Sequence, residues 1–177
     1  MSVTFLTVKC DCCSFRGSSL ATVGGFQWSD QGQVFKFDRQ LGLCLDCNEI
    51  VAIEKFPDAQ IMERAREIRP TYEGKPLLRL LEKDQAKYLA SQEGFDVLER
   101  VLALKRQPVC LECGKSAVRP ITIPKGVNSD TAVALDLGHP WCAGKLQIQT
   151  SDGMRIGLNP RTRIYDIFGR LTSTIGD

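Results

Sequence analysis

The chain has 177 residues, of which 43% are hydrophobic and 25% are charged. These proportions are typical of a folded globular protein and exclude extended disorder, and the length suits one ordinary domain or two small ones. The formal net charge of +2 makes the protein at most faintly basic.

The first nine residues contain a short apolar run that ends at Lys9. This run is too brief for the core of a signal peptide or for a membrane span. We therefore expect a cytoplasmic protein with no membrane partner.

Residues 1–56 have the texture of short strands and turns, with a turn predicted at Gly24 and Gly25. The predicted strands are Val3 to Val8, Gln33 to Phe37 and Glu49 to Phe56.

Residues 57–107 change to a helical pattern. A first helix is predicted from Pro57, with Asp58 in its first turn, to Arg69, where the following Pro70 should stop it. A second helical stretch is predicted from about Pro76 to Lys105, and Gly94 is expected to divide it, because glycine costs about 1 kcal/mol relative to alanine inside a helix.

Residues 108–177 return to short strands separated by Gly, Pro and Asn turns. The predicted strands are Ala117 to Ile123, Thr131 to Leu137, Lys145 to Gln149, Met154 to Leu158 and Arg163 to Phe168. Such short strands bury little apolar surface, so a bound metal would have to supply much of their stability.

Seven of the eight cysteines and the single histidine form four pairs, each with two residues between its members. This spacing lets two side chains of one tight turn reach the same metal ion. Taken in chain order, the pairs predict site 1 from Cys10, Cys13, Cys44 and Cys47, and site 2 from Cys110, Cys113, His139 and Cys142.

Asn48 and Gly114 follow the second and third pairs and tolerate the left-handed backbone that such a turn needs. Four protein ligands would close each tetrahedral site, which favours structural over catalytic metal. We therefore predict a protein that is not an enzyme and has no small-molecule substrate. Bound as seven thiolates and two Zn²⁺ ions, the ligands would bring the net charge to about −1 and leave only local patches for nucleic acid.

Three alternatives accompany this prediction. The cysteines could form a disulfide framework, although a reducing cytosol and the histidine in the fourth pair favour metal. His139 could be an ordinary surface or core residue. The eighth cysteine, Cys12, could be a packing thiol, a substitute ligand or a nucleophile, and packing is favoured because no second histidine is present to act as its base.

The paired ligands resemble zinc ribbons over about residues 3–55 and 108–150. The resemblance implies an α+β protein with two small zinc-ribbon-like β modules, residues 1–56 and 108–177, joined by a helical segment, residues 57–107. Site 1, with four cysteines, also resembles a rubredoxin-like knuckle pair and could hold iron as an electron carrier. The aromatic residues between its two pairs would then form a shell around the iron or, more simply, a small core: Phe15, Phe26, Trp28, Phe35 and Phe37.

Two surfaces could bind a partner. The leucine-rich helical segment could present a groove to a protein, which predicts an interaction or assembly module as the main function, although packing in the core is the favoured use of these leucines. The C-terminal segment could instead bind nucleic acid through arginines on phosphates and an aromatic ring under a base, although a solvated strand face whose aromatic residues point into the core is favoured. The residues of that surface are Arg155, Arg161, Arg163, Tyr165 and Arg170.

Overall fold

The computed structural model describes residues 2–75, 84–155 and 161–176. Over these residues the protein is α+β, as predicted. The helices are α1 (Ala59–Tyr72), α2 (Gln85–Ser91) and α3 (Phe95–Ala103). The strands are β1 (Ser2–Cys10), β2 (Arg16–Ser18), β3 (Gly25–Asp30), β4 (Gln33–Lys36), β5 (Asp38–Cys44), β6 (Glu49–Lys55), β7 (Val118–Pro120), β8 (Val133–Gly138), β9 (Lys145–Arg155), β10 (Thr162–Tyr165) and β11 (Leu171–Ile175).

The described strands form three sheets, and each sheet combines strands from before and after the helices. Their strand orders are β2-β1-β9-β8, β11-β10-β3-β4 and β6-β5-β7. Strand β1 pairs along its length with β9, β3 pairs in parallel with β10, and β5 pairs with β7. The sheets therefore do not separate into the expected modules 1–56 and 108–177, because short strands from one end of the chain are paired, and buried, by strands from the other.

Helix α1 begins two residues later and ends three residues later than the sequence predicts. Asp58 is its N-cap, and the Asp58 carboxylate accepts a hydrogen bond from the backbone N–H of Gln60 at 2.8 Å. Pro70 does not stop the helix. It lies in the last turn, where the Glu73 N–H still donates to the Arg69 carbonyl at 2.9 Å, so the missing N–H of one residue near the end is tolerated.

Gly94 divides the second helical stretch, as predicted, and lies directly before α3. Tertiary packing also requires a glycine here, since a Cβ at this position would lie 2.0 Å from the carbonyl oxygen of Val34 in β4. The predicted start at Pro76 lies outside the described residues.

The C-terminal strands differ from their predicted bounds. Strand β10 ends at Tyr165 and a turn follows it, whereas β11 was not predicted. The predicted strand from Met154 to Leu158 overlaps the end of β9 and otherwise lies outside the described residues.

Two main cores hold the sheets. The first packs the β3–β4–β10 sheet against the helices and buries Trp28, Phe37, Tyr165, Phe95 and Leu98. The second lies between the other two sheets. Its fully buried members are Val8, Leu43, Leu146 and Ile148. Four of the five aromatic residues between the first two cysteine pairs thus form a core, but with the helices and not within a separate ribbon, while Phe15 lies beside the second core.

No helix in the described part of the chain has the length and apolar character needed to cross a membrane.

Candidate metal centres

The structure brings all eight predicted ligands into two groups of four, but it pairs the turns differently from the chain-order prediction. The first group, here the His cluster, contains Cys10, Cys13, His139 and Cys142. The second, here the Cys cluster, contains Cys44, Cys47, Cys110 and Cys113. Within each group the ligand atoms all lie within 4.8 Å of one another. The predicted combination of the first turn with the second, and of the third with the fourth, is therefore wrong.

Strand pairing explains the grouping. Antiparallel pairing of β1 with β9 places Cys10 opposite Leu146, close to the turn that joins β8 to β9 and carries His139 and Cys142. The outer turns of the sequence thus meet at one end of one sheet.

The inner turns meet on another sheet. Cys44 ends β5, and Cys47 lies in the turn to β6. The segment before β7 runs beside β6, where Cys110 forms a β-bridge with Ile53 and the Leu111 N–H donates to the Ala52 carbonyl at 3.0 Å.

Distances in the His cluster fit a tetrahedral ion. Metal–sulfur and metal–nitrogen bonds of about 2.3 and 2.05 Å place tetrahedral sulfur atoms about 3.8 Å apart and sulfur about 3.5 Å from nitrogen. The His139 Nδ1 lies 3.4 Å from the Cys13 Sγ and 3.3 Å from the Cys142 Sγ. The Cys142 Sγ lies 3.4 Å from the Cys10 Sγ and 3.7 Å from the Cys13 Sγ.

The Cys cluster has the same dimensions. The Cys44 and Cys113 Sγ atoms are 3.7 Å apart, and those of Cys47 and Cys110 are 3.9 Å apart. A disulfide would need about 2.05 Å. All eight cysteines are free thiols. Both groups could hold a metal ion.

Backbone N–H groups point at the sulfurs in both clusters, as expected of metal-binding turns. Four such contacts have N–S distances of 3.4 Å and run from the N–H groups of Cys12, Cys47, Glu112 and Gly144 to the Sγ atoms of Cys10, Cys44, Cys110 and Cys142. Asn48 and Gly114 have positive φ angles of 51° and 73°, which confirms the predicted left-handed positions.

Gly144 is a further requirement of the His cluster that the sequence reasoning missed. A Cβ on Gly144 would lie 2.5 Å from both the Cys10 Sγ and the Cys12 Cβ. The signal for it was a glycine two residues after Cys142, which is one position later than Gly114 after Cys113.

His139 is buried and is held from its other ring nitrogen. Its Nε2 lies 3.1 Å from the Asn48 Oδ1. With the proton on Nε2, the ring donates to Asn48 and presents the Nδ1 lone pair to the three sulfurs, the tautomer that metal binding requires. Phe15 packs on the ring with centroids 4.4 Å apart. Asn48 belongs to a turn of the Cys cluster, so the two clusters are joined through this hydrogen bond.

The protonation of the Cys cluster reflects its burial. Burial raises the pKa of Cys110 to about 12. Burial also raises the pKa of Cys47 far above its usual range, and the neighbouring sulfurs of Cys113 and Cys44 raise it further. A cation among the sulfurs would remove this penalty, since thiolates are the metal-binding form.

The buried carboxylate of Glu54 anchors the segment that carries Cys110. This residue was not singled out from the sequence. The Glu54 side chain is 0% exposed, and its Oε1 accepts hydrogen bonds from the Trp28 Nε1 at 2.9 Å and the Arg106 Nη2 at 2.7 Å. Its Oε2 accepts from Arg106 Nη1 and from the Val109 N–H at 3.0 Å. This network connects β3 and β6 to the chain directly before the Cys cluster.

Cys12 belongs to neither cluster. It is exposed, so the favoured interpretation as a packing thiol is wrong. Its place in the turn explains the exposure, because its N–H contacts the Cys10 Sγ while its side chain lies outside the ligand group.

Only some of the C-terminal residues predicted to contact nucleic acid are accessible at the surface. Tyr165 is 0% exposed and its hydroxyl donates to the Leu111 carbonyl at 3.0 Å, so its predicted role beneath a base is wrong. Arg163 forms an ion pair with Glu112. Arg161 and Arg170 are exposed, and nothing is described of the Arg155 side chain.

No protein-family model, curated protein or solved structure matches the chain, so the site is interpreted from its geometry and chemistry alone.

Proposed function

We propose that the protein binds two structural zinc ions, one in each cluster. The ions stabilise the conformation of a surface that binds a protein partner. The observation that carries the proposal is the pair of four-donor groups with tetrahedral spacing. Bound zinc supplies cross-links and neutralises thiolate charge.

Zinc is favoured over iron because the His cluster combines one imidazole with three sulfurs. Four protein donors fill a tetrahedral shell and leave no position for a reactive water, which favours a structural role. Free thiols at all eight cysteines fit a reducing compartment, and we place the protein in the cytoplasm on that ground.

The test of metal binding is elemental analysis beside native mass spectrometry of reduced protein. We expect two equivalents of zinc, with loss of folded structure after chelation. A chelated, metal-free protein that keeps its near-ultraviolet circular dichroism would contradict the structural role, and cystines in the purified reduced protein would contradict the sites.

The protein-binding role is supported by an exposed tryptophan on the His cluster. Trp141 lies between His139 and Cys142 and is 54% exposed, although tryptophan is a residue type that proteins usually shield or use in interfaces. Its ring centroid is 5.9 Å from that of His139, so the turn that binds the metal also positions the ring.

We expect Trp141→Ala to keep two zinc equivalents and to lose a protein partner that the native protein retains at high salt. Val34→Ala is the matched control, since Val34 is 49% exposed on a strand that contributes no ligand to either cluster. Equal retention by both variants would contradict the role of Trp141.

Nucleic-acid binding is a second candidate, supported by the exposed Arg161 and Arg170. It predicts retention on nucleic acid at low salt that falls steeply as salt is added. Loss of that retention in Arg161→Ala/Arg170→Ala would support it, and salt-independent retention would contradict it.

A rubredoxin-like iron protein is the third candidate and now concerns the Cys cluster, because the four-cysteine group consists of Cys44, Cys47, Cys110 and Cys113. An oxidised iron site is red, whereas a zinc site is colourless. Colourless protein with two zinc equivalents would exclude this candidate.

A further inference from the structure

Strand β11 is an edge strand with unusual properties. It pairs with β10 on one side, and it lies at the end of the sheet β11-β10-β3-β4. All five of its residues are exposed, with Leu171 52% and Ile175 60% exposed. Among the described residues, no strand pairs with its outer row of backbone N–H and C=O groups, which is therefore open to another strand.

The other edges in the described part of the structure carry charges. Natural proteins use charged residues on edge strands to prevent pairing with other chains. The edge strands β2, β4, β6, β7 and β8 contain Arg16, Lys36, Glu49, Arg119 and Asp136, respectively. Strand β11, Leu-Thr-Ser-Thr-Ile, has no charged residue and no proline.

The sequence of β11 is symmetric about Ser173. Leu171 and Ile175 lie two residues on either side, and Thr172 and Thr174 lie one residue on either side. Antiparallel pairing with an identical strand about a twofold axis at Ser173 would place Leu171 opposite Ile175 of the other copy and Thr172 opposite its Thr174. Apolar and threonine pairs directly opposite each other stabilise antiparallel sheets.

We propose that β11 is a self-association surface, and that two copies of the chain pair through it to form one eight-stranded sheet. The surface is short, so association should be weak and dependent on concentration. The sheet that carries β11 contributes none of the eight ligands, and the proposal is therefore independent of metal binding.

Ser173 provides a sharp test because the twofold axis brings the two copies of this residue together, with Cα atoms about 4.5–5.5 Å apart. Sedimentation equilibrium over a wide concentration range should show the native protein moving from 19.7 kDa toward twice that mass. Ser173→Lys and Ser173→Glu should each weaken self-association at least about tenfold, because like charges would meet.

An equimolar mixture of Ser173→Lys and Ser173→Glu should recover a dimer that contains one of each. Val34→Lys is the matched control, because Val34 is 49% exposed on β4, the opposite edge of the same sheet. It should associate like the native protein.

The proposal is overturned if the native protein stays monomeric at every concentration, if both Ser173 variants dimerise as the native protein does, if the mixture stays monomeric, or if Val34→Lys abolishes the dimer. Near-ultraviolet circular dichroism checks the fold of each variant. Where a Ser173 variant is unfolded, Ile175→Lys decides in its place, since the Ile175 side chain is 60% exposed in this structure and lies on the same strand. Loss of its dimer supports the proposal and retention overturns it.

Discussion

The two clusters use almost the same donors, and each has two buried ligands, one half-buried ligand and one exposed ligand, but their buried donors lie at different depths. In the Cys cluster, Cys44 and Cys110 are 0% exposed and pack with Val51 and Ile53 of β6. In the His cluster, the buried donors Cys10 and His139 are 7% and 5% exposed. The comparison teaches that similar turns can either bury two donors fully within one sheet or join distant segments of the chain with donors nearer the surface.

This difference predicts different consequences of metal loss. An ion in the Cys cluster would neutralise buried sulfurs, and its removal would leave a polar group in the core. An ion in the His cluster would join residues 132 positions apart in sequence, Cys10 and Cys142, and its removal would release a more exposed end of the sheet.

The largest expected effect comes from double variants that test how the turns are paired. Cys13→Ser/Cys142→Ser changes the His cluster alone and should leave one zinc equivalent, whereas Cys13→Ser/Cys47→Ser damages both clusters and should leave none. Native mass spectrometry after exposure to a moderate chelator measures both. The chain-order pairing predicts the reverse result, so the experiment separates the two arrangements.

Single ligand variants should then show which of the two clusters, the Cys cluster or the His cluster, contributes more to the stability of the fold. Cys110→Ser should cost most of the stability, since structural zinc contributes about 10–16 kcal/mol in small zinc domains and whole proteins have about 5–15 kcal/mol. Cys13→Ser should lose one ion but keep a folded core around Trp28, as followed by near-ultraviolet circular dichroism and urea unfolding. Cys12→Ser is the control and should change neither quantity. Cys113→Ser changes the exposed ligand of the Cys cluster and is the match for Cys13→Ser, so equal losses from these two variants would contradict the comparison.

Substitution of Glu54, the carboxylate beside the Cys cluster, should have the next largest effect on the free energy of unfolding. Glu54→Gln leaves the Arg106 side chain, 16% exposed, without its ion-pair partner. Breaking a buried pair in this way costs about 3–5 kcal/mol. The matched control is Glu112→Gln, which removes the more exposed pair with Arg163 and should cost at most about 1 kcal/mol. Urea unfolding of the zinc-loaded proteins measures both, and similar costs would show that Glu54 has no special role.

The smallest effect should come from removing the hydrogen bond between Asn48 and His139, which links the two clusters. Asn48→Gly keeps the positive φ angle but removes the hydrogen bond to His139. Loss of such a partner of a metal-binding histidine typically weakens metal affinity about 10–100-fold. Competition with a chelator should show this loss in the His cluster, with the Cys cluster changed much less.

Asn48→Asp is the conservative comparison, because its carboxylate can still accept the hydrogen bond from the His139 ring. It should retain more of the affinity than Asn48→Gly. An unchanged His cluster in Asn48→Gly would contradict the link.

Several local features could be predicted from the sequence because their causes lie within a few residues. The two-residue spacing brings Cys44 close to Cys47 by turn geometry, and Asn48 adopts the left-handed backbone that its residue type tolerates. Gly94 divides the helices as expected. The predicted end of α1 at Arg69 was wrong because Pro70 lies within the last turn, where the helix tolerates one missing N–H.

Other features depended on distant segments. Tyr165 looked available on a basic strand, but parallel pairing of β10 with β3 places it in the aromatic core. Glu54 lies within the predicted strand Glu49 to Phe56, and only the approach of Arg106 and Val109 makes it a buried anchor.

The sequence by itself determined the eight donor residues, their association in pairs and the α+β character of the chain, since these follow from local spacing and periodicity. Only the tertiary structure decided which pairs come together, which surfaces stay open and that the His139 ring is hydrogen-bonded to Asn48. The physical reason is that strand pairing between the two ends of the chain, not proximity in sequence, determines which turns meet.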